Sequence, residues 1–229
     1  MLHSAVQLLS VSGGSSEHQL ICCCRAFFFS ARTGKTVEHV ILLDESGTAI
    51  GVADKQTVHT DSTPLHLAFS CYIFDSSGRF LVSQRALSKK TWPGIWTNSV
   101  CGHPAQGEAM TDAVRRRASF ELGLTLDEVR LVLPAFRYRA ELHGVVENEM
   151  CPVFYATVSA EPDPNPDEVE ATRWTTWDAF RAEAHSEHGE TFSPWCRLQI
   201  AELTALGEVP AQWPAGDPAG LPKAAISRH

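Results

Sequence analysis

The 229-residue chain has no apolar stretch long enough to cross a bilayer. Its most hydrophobic run, Leu20 to Phe29, is broken by Arg25 and falls well short of a spanning helix. Positive charge is scarce: 19 Lys and Arg stand against 27 Asp and Glu, a formal net charge of −8. That balance excludes an electrostatic hold on nucleic acid, and any anionic ligand needs local cations in a dedicated pocket. The first nineteen residues contain no Lys or Arg, so the basic start of a secretory leader is missing. Cysteine lacks a pattern. There are seven, an odd number, with Cys22, Cys23 and Cys24 adjacent, and no spacing suggests a disulfide framework or a zinc ribbon. A reducing compartment, the cytoplasm, is therefore expected.

What is present describes a soluble domain. Apolar residues make up 44% and charged residues 20%, and the length suits one well-buried core with extensions. Residues 1–37 are Ser-rich and then read "ICCCRAFFFS"; a transit segment, an upstream start and a small added element all remain open. From Glu38 the pattern becomes regular. "EHVILLDESGTAIG" (38–51) predicts two strands around Gly47, and "LHLAFSCYIFDSSGRFLVSQ" (65–84) repeats the plan around Asp75–Gly78. Ala109, Ala113, Ala118 and Leu122 fall at helical spacing, and Gly123 ends that run. Residues 131–142, 149–158 and 168–177 read as strands, and 178–184 and 194–205 as short helices. "EPDPNPDE" (161–168) reads as a loop, and the Pro/Gly-rich tail 206–229 as disordered. Strands with two or three helices predict a mixed α/β domain over residues 38–205.

The chemistry begins at Gly102, from which Gly-x5-Glu-x7-Arg runs through Glu108 and Arg116 and continues "RRASFELGL" to Leu124. A magnesium cluster that activates water needs several hard oxygen ligands. Here the segment from Arg116 to Leu124 carries a single carboxylate, Glu121, beside Arg117 and Phe120. The pattern thus suits holding a diphosphate through one Mg²⁺ better than cutting it, although an ordinary amphipathic helix would also satisfy it. His59, His66, His103, Glu147 and Glu149 offer a mixed nitrogen and oxygen donor set suited to Zn²⁺, Mn²⁺ or Fe²⁺. In an extended segment Glu147 and Glu149 share a face, as do Cys101 and His103. A lone His is more often structural than ligating, and spacing alone does not bring five residues together. Lys55, Arg85, Lys89 and Lys90 form a basic group in an acidic chain, with Arg85 and Lys89 aligned if that segment is helical. Trp92, Trp96, Tyr138, Trp174 and Trp195 are candidates for core or rim, and a ring face also stabilises a cation.

The stretches "RALSKKTWPGIWTNSVCGHP" (85–104), "FRYRA" (136–140), "VENEMCPVF" (146–154) and "FSPW" (192–195) are similar to type I isopentenyl-diphosphate Δ-isomerases, and the likeness spans about 38–205. The frame from Gly102 to Leu124 resembles the Nudix box. The resemblance implies a Nudix-type α/β/α sandwich with a mixed sheet and an N-terminal extension. It implies that Cys101 and Glu149 are the acid–base pair, with Tyr138 beside the catalytic Glu and Trp195 facing the hydrocarbon. It makes His59, His66, His103, Glu147 and Glu149 a site for Mn²⁺ or Zn²⁺, and Glu121 the ligand of a Mg²⁺ on the diphosphate. Lys55, Arg85, Lys89 and Arg117 become diphosphate contacts. The implied substrate is isopentenyl diphosphate, handled by a monomer with neither nucleic acid nor membrane as partner. A Nudix diphosphohydrolase and a non-catalytic diphosphate-binding module are the alternatives, and fold alone does not separate them.

Overall fold

The computed structural model describes residues 38–187 and 189–226; the expected extension 1–37 lies outside the described residues. Strands β1 (His39–Leu43) and β2 (Ala49–Asp54) pair antiparallel, followed by β3 (His66–Leu67), β4 (Phe69–Asp75) and β5 (Phe80–Arg85). Two short strands, β6 (Trp96–Thr97) and β7 (Val100–Gly102), lead into helix α1 (Met110–Leu122). Then come β8 (Glu128–Leu133), β9 (Arg137–Leu142), β10 (Val145–Met150), β11 (Val153–Val158) and β12 (Val169–Thr175). Helices α2 (Trp177–Ala184) and α3 (Pro194–Ala205) follow, capped by the Thr176 and Ser193 hydroxyls at Ala179 N–H and Cys196 N–H.

One sheet runs β2-β1-β3-β10-β9 and the other β12-β5-β4-β11-β8, with β6 on β5 and β7 on β4. Both are mixed: β3 with β10 and β4 with β11 are parallel, and the remaining pairs are antiparallel. The segments expected as single strands over 131–142 and 149–158 are each two. Pro134 and Pro152 lie at the breaks, where proline has no N–H for a ladder. At the second break the chain passes from one sheet to the other, while Ala68 and Ser70 N–H groups donate to the carbonyls of Met150 and Pro152 at 3.0 and 3.1 Å.

The period of two along β4 divides the interior. Phe69, Cys71 and Ile73 pack with Met110, Ala113, Val114, Ala118 and Leu122 of α1. Tyr72 and Phe74 belong to the other core, with Trp177, Phe180, Ile200 and Leu203 of α2 and α3. Helices thus cover both faces, as the sandwich expectation requires. Gly123 ends α1 in the left-handed region at φ 65°, and a Cβ there would meet Asp163 O at 2.9 Å.

The tail departs from expectation. Residues 206–226 are folded onto the domain through short helical turns at Pro210–Gln212 and Pro218–Gly220 and α4 (Lys223–Ile226). Trp213 is 1% exposed, donates from Nε1 to Gly207 O at 2.9 Å and meets Trp177 edge-on at 5.1 Å. Gly216 N–H reaches Leu131 O, and Ala224 N–H reaches Gly47 O, both at 2.9 Å. One buried indole and these backbone bonds outweigh a composition that favours disorder.

Candidate active site

Strand register assembles the first half of the site. In the β3–β10 ladder His66 is the partner of Glu149, and in the β9–β10 ladder Tyr138 is the partner of the same Glu149. The carboxylate therefore stands between an imidazole and a phenol on an inner strand. Tyr138 Oη donates to Glu149 Oε2 at 2.8 Å, and His66 Nε2 lies 3.4 Å from Oε1. His103, just beyond β7, brings Nε2 to 3.3 Å from that same Oε1. His59 arrives on the loop before β3, and its Nε2 is 3.1 Å from Glu147 Oε2. One ligand atom each from His59, His66, His103 and Glu149 falls within 4.8 Å of the others.

These donors suit a metal. Nε2 of His59 and of His66 and Oε2 of Glu147 are buried without a hydrogen-bond partner, despite their short approaches. Buried polar atoms are rarely left so, and their convergence gives a cation its ligands. His66 Nδ1 faces Pro64 O at 2.9 Å, which assigns that nitrogen the proton and leaves Nε2 a bare lone pair toward the cluster. Burial drives the His103 pKa down to about 3, keeping the ring neutral as a ligand must be. Burial opposes ionisation of Glu149, but the close approach of the His103 and His66 imidazoles to Oε1 outweighs it and holds the carboxyl well below its ordinary range. Glu147 shares the face of Glu149 and touches His59, although its oxygen is not in the tightest group.

Cys101 forms the second half. It pairs with Ser70 in the β7–β4 ladder, lies 3.4 Å from Ser70 Oγ and donates to Asn98 Oδ1 at 3.1 Å. The Asn98 amide is fixed by donating to Cys71 O and Val100 O at 3.1 and 2.9 Å, so its oxygen can only accept. Burial pushes the Cys101 pKa up to about 11, so the sulfur carries its proton at neutral pH. A small cleft reaches Cys101, and Arg85, Lys89, Glu121 and Glu168 are also among its lining residues. Tyr138 and Trp195 are buried, with rings 5.7 Å apart, and Trp92 meets Trp195 edge-on at 5.3 Å. Trp92 has φ 53°, rare for a bulky residue. Arg85 braces that bend, donating to Trp92 O at 3.1 Å and to Thr91 O at 2.8 Å. Residues 86–94 form turns, so the helical alignment expected of Arg85 and Lys89 does not occur; Arg85 ends β5.

The Gly102 frame braces this site. Arg116 donates to both oxygens of Glu108, at 2.7 and 2.8 Å, and to His103 O at 3.1 Å. A Cβ on Gly102 would strike Arg117 Cγ at 2.8 Å, so the first glycine makes room for that arginine. Arg117 is 3% exposed, and its guanidinium already holds Glu121, Glu168 at 3.0 Å and Glu38 at 3.4 Å, with Phe120 stacked on it at 5.1 Å. Lys55 is held by Glu38 at 2.6 Å and Lys89 by Glu168. The cations expected at a diphosphate thus gather, but each already has a protein acceptor. Glu38, Glu168, Asn98 and Ser70 escaped the sequence reading. The signal for the two carboxylates was available, since buried cations need counter-ions.

A family model described as NUDIX domain matches residues 64–196. A protein of Saccharopolyspora erythraea named isopentenyl-diphosphate Delta-isomerase is 58% identical over 192 residues, covering 83% of this chain and 98% of that protein. The chain belongs to this family. A relative of the same name from Clavibacter sepedonicus is 56% identical over 168 residues, covering 72% of this chain and 87% of its own. A solved structure from Deinococcus radiodurans shares the fold, with TM-score 0.57 and 19% identity, covering 72% of this chain and 98% of that one. For an isopentenyl-diphosphate Delta-isomerase relative, the altered box is coherent: Arg117 and Phe120 stand beside Glu121 as one ion-paired and stacked group. His59 and Lys55 precede the span matched by the NUDIX model, so the site draws on residues N-terminal to it.

Proposed function

We propose that this chain interconverts isopentenyl diphosphate and dimethylallyl diphosphate by adding a proton to one alkene carbon and removing a different proton from another. The observation that carries this reading is the pairing of a protonated thiol, Cys101, on a cation-lined cleft with an ionised, phenol-bonded carboxylate, Glu149. An unactivated alkene needs such a pair, because protonation of its terminal carbon creates a tertiary carbocation that must lose a proton from the neighbouring carbon. Cys101 Sγ and Glu149 are proposed as the two proton-handling groups, and the exchange leaves the substrate formula unchanged. The Tyr138 hydroxyl orients Glu149 and steadies its charge. Trp195, proposed to face the hydrocarbon, offers an indole face to the cation, worth about 0.5–2 kcal/mol. Burial of that indole also excludes water, which would trap the cation as an alcohol.

Arg85 and Lys89 line the cleft and are proposed to grip the diphosphate with Lys55 and Arg117. When bound, Mn²⁺ or Zn²⁺ on His59, His66, His103, Glu147 and Glu149 would supply fixed charge beside the acid–base group, and Mg²⁺ on Glu121 would neutralise the diphosphate. Free thiols at Cys71, Cys101, Cys151 and Cys196 support a cytoplasmic setting, and a monomer is part of the same proposal. The working domain is proposed to begin near Glu38 and, given the packed tail, to extend to Ile226. The test is turnover of isopentenyl diphosphate with Mg²⁺ and Mn²⁺ supplied, followed together with phosphate release. Alkene shift without phosphate supports the isomerase; phosphate without alkene shift supports a hydrolase; tight binding with neither supports a binding module.

A further inference from the structure

Glu168 takes no part in the reaction proposed above, yet it stands on the wall of the cleft among the cations. Its backbone is held on two sides. The Pro-rich run before it closes the C-terminus of α1, with Asp163 N–H donating to Leu122 O at 2.8 Å and Asn165 N–H to Glu121 O at 2.9 Å. Those bonds satisfy helix carbonyls that have no partner within the helix. Glu168 N–H then donates to Asn165 O at 2.9 Å, and Glu168 O accepts from Ala86 N–H at 3.0 Å, at the end of β5. A segment that reads as a plain connection is therefore an arm that fixes one carboxylate beside Glu121.

A single oxygen of that carboxylate, Oε2, bridges Lys89 Nζ and Arg117 Nη2, the latter at 3.0 Å. Bridging two cations from one oxygen is what a phosphate oxygen would do in the same place. Around the cleft Lys55, Arg85, Lys89 and Arg117 face Glu38, Glu121 and Glu168, so one positive charge is left over. A diphosphate ester carries more negative charge than that. Arriving alone, it meets like charge at close range in a partly buried cleft, where screening is weak. Arriving with a divalent cation, it does not.

We propose that Glu168 is a specificity-determining residue for the anionic end of the substrate: it holds Lys89 and Arg117 ready before binding, and its charge favours a diphosphate that arrives with a divalent cation over one that arrives alone. This rests on the diphosphate reading of the cleft. It makes Glu168 a positioning residue, acting through its two cationic partners.

The test is calorimetric titration of the full chain with inorganic diphosphate, with Mg²⁺ or with EDTA, for the wild type, Glu168→Gln, Glu168→Ala and Glu168→Asp. Folding of each variant is checked by its melting temperature. The wild type is expected to bind about tenfold or more tightly with Mg²⁺, a coupling of ordinary size between two ligands. Removing the charge in the Gln and Ala variants is expected to tighten metal-free binding about tenfold and to shrink the Mg²⁺ gain below about threefold. The Asp variant, which keeps the charge, should keep most of the gain. The proposal is overturned if the folded neutral variants bind metal-free diphosphate no better than the wild type, or if Asp behaves like Gln. The reaction is read separately by proton NMR. A wild type that isomerises but shows no Mg²⁺ gain removes the role of Glu168 alone. A wild type that shows the gain but never shifts the alkene removes the isomerase and leaves Glu168 standing.

Discussion

Glu149 meets two demands through its two oxygens. Oε1 faces His66 and His103, and Oε2 accepts from Tyr138. Cys101 has a complementary arrangement, with an acceptor at Asn98 and a hydroxyl at Ser70, and its proton is retained at neutral pH. Replacing Cys101 by Ala, or Glu149 by Gln, is expected to lower kcat by at least about 10²–10⁴-fold, the range for losing a positioned proton carrier. Affinity for Mg²⁺–diphosphate should change only slightly, since neither side chain is among its proposed contacts. Steady-state kinetics and calorimetry on the same samples check both halves. Normal turnover in the two variants would remove these residues from the chemistry. The residue types were legible from sequence, because Cys-Gly-His and Glu-x-Glu each place donors two apart on extended chain. Their convergence was not: His66 and Glu149 become neighbours only through a parallel register, which no local spacing encodes.

At the scale of elements, the proline residues had to be interpreted from packing as well as composition. Pro134 and Pro152 divide expected strands, and the second division sends β10 and β11 into different sheets, so the metal cluster and the Cys71–Tyr72 core layers draw on one continuous stretch of chain. The run 161–168 looked like a connection and instead closes α1 and presents Glu168. The tail from 206 was expected to be loose, but Trp213 buries an indole against Trp177, Tyr155 and Phe74. Local composition measured chain stiffness and turn preference in these segments; it carried no information about what a single large aromatic would pack against. Trp213→Ala is accordingly expected to destabilise the fold by about 3–5 kcal/mol, the usual cost of deleting a buried aromatic ring. Urea unfolding monitored by circular dichroism checks this, and a change below about 0.5 kcal/mol would mean the tail contributes no more than an exposed segment does.

For the whole molecule, charge organises both stability and ligand choice. Burial opposes ionisation of Glu38, Glu108 and Glu168, but Lys55, Arg116 and Lys89 with Arg117 outweigh it, and all three carboxyls fall below their ordinary value of 4.5. A carboxyl lowered in the fold adds stability above its unfolded value and loses it as pH falls through the folded one. His103, lowered by burial, acts in the same sense from its ordinary 6.5 downward, whereas His66, raised through Glu149 despite burial, acts in the opposite sense. Their windows lie on opposite sides of 6.5: the His66 contribution is complete below that value, whereas the His103 loss begins there, and the carboxylates add to the decline at lower pH. The melting temperature of the metal-free chain at constant ionic strength should begin to fall below about pH 6.5 and fall more steeply below about 4.5. A flat profile to about pH 3 would contradict the network. The α/β class was legible at this scale from the strand and helix patterns, and the cations stood out as a basic group in an acidic chain. The local counter-charge was not, because Glu38, Glu121 and Glu168 lie far apart in sequence and meet only around Arg117. The central claim is a proton exchange at carbon that spares the diphosphate. Proton NMR of the chain with isopentenyl diphosphate in D₂O, with Mg²⁺ and Mn²⁺ or Zn²⁺, tests it directly. Zn²⁺ is preferable for the spectra because Mn²⁺ is paramagnetic. Dimethylallyl signals with deuterium incorporated and no phosphate released are predicted; phosphate release without an alkene shift would contradict the account.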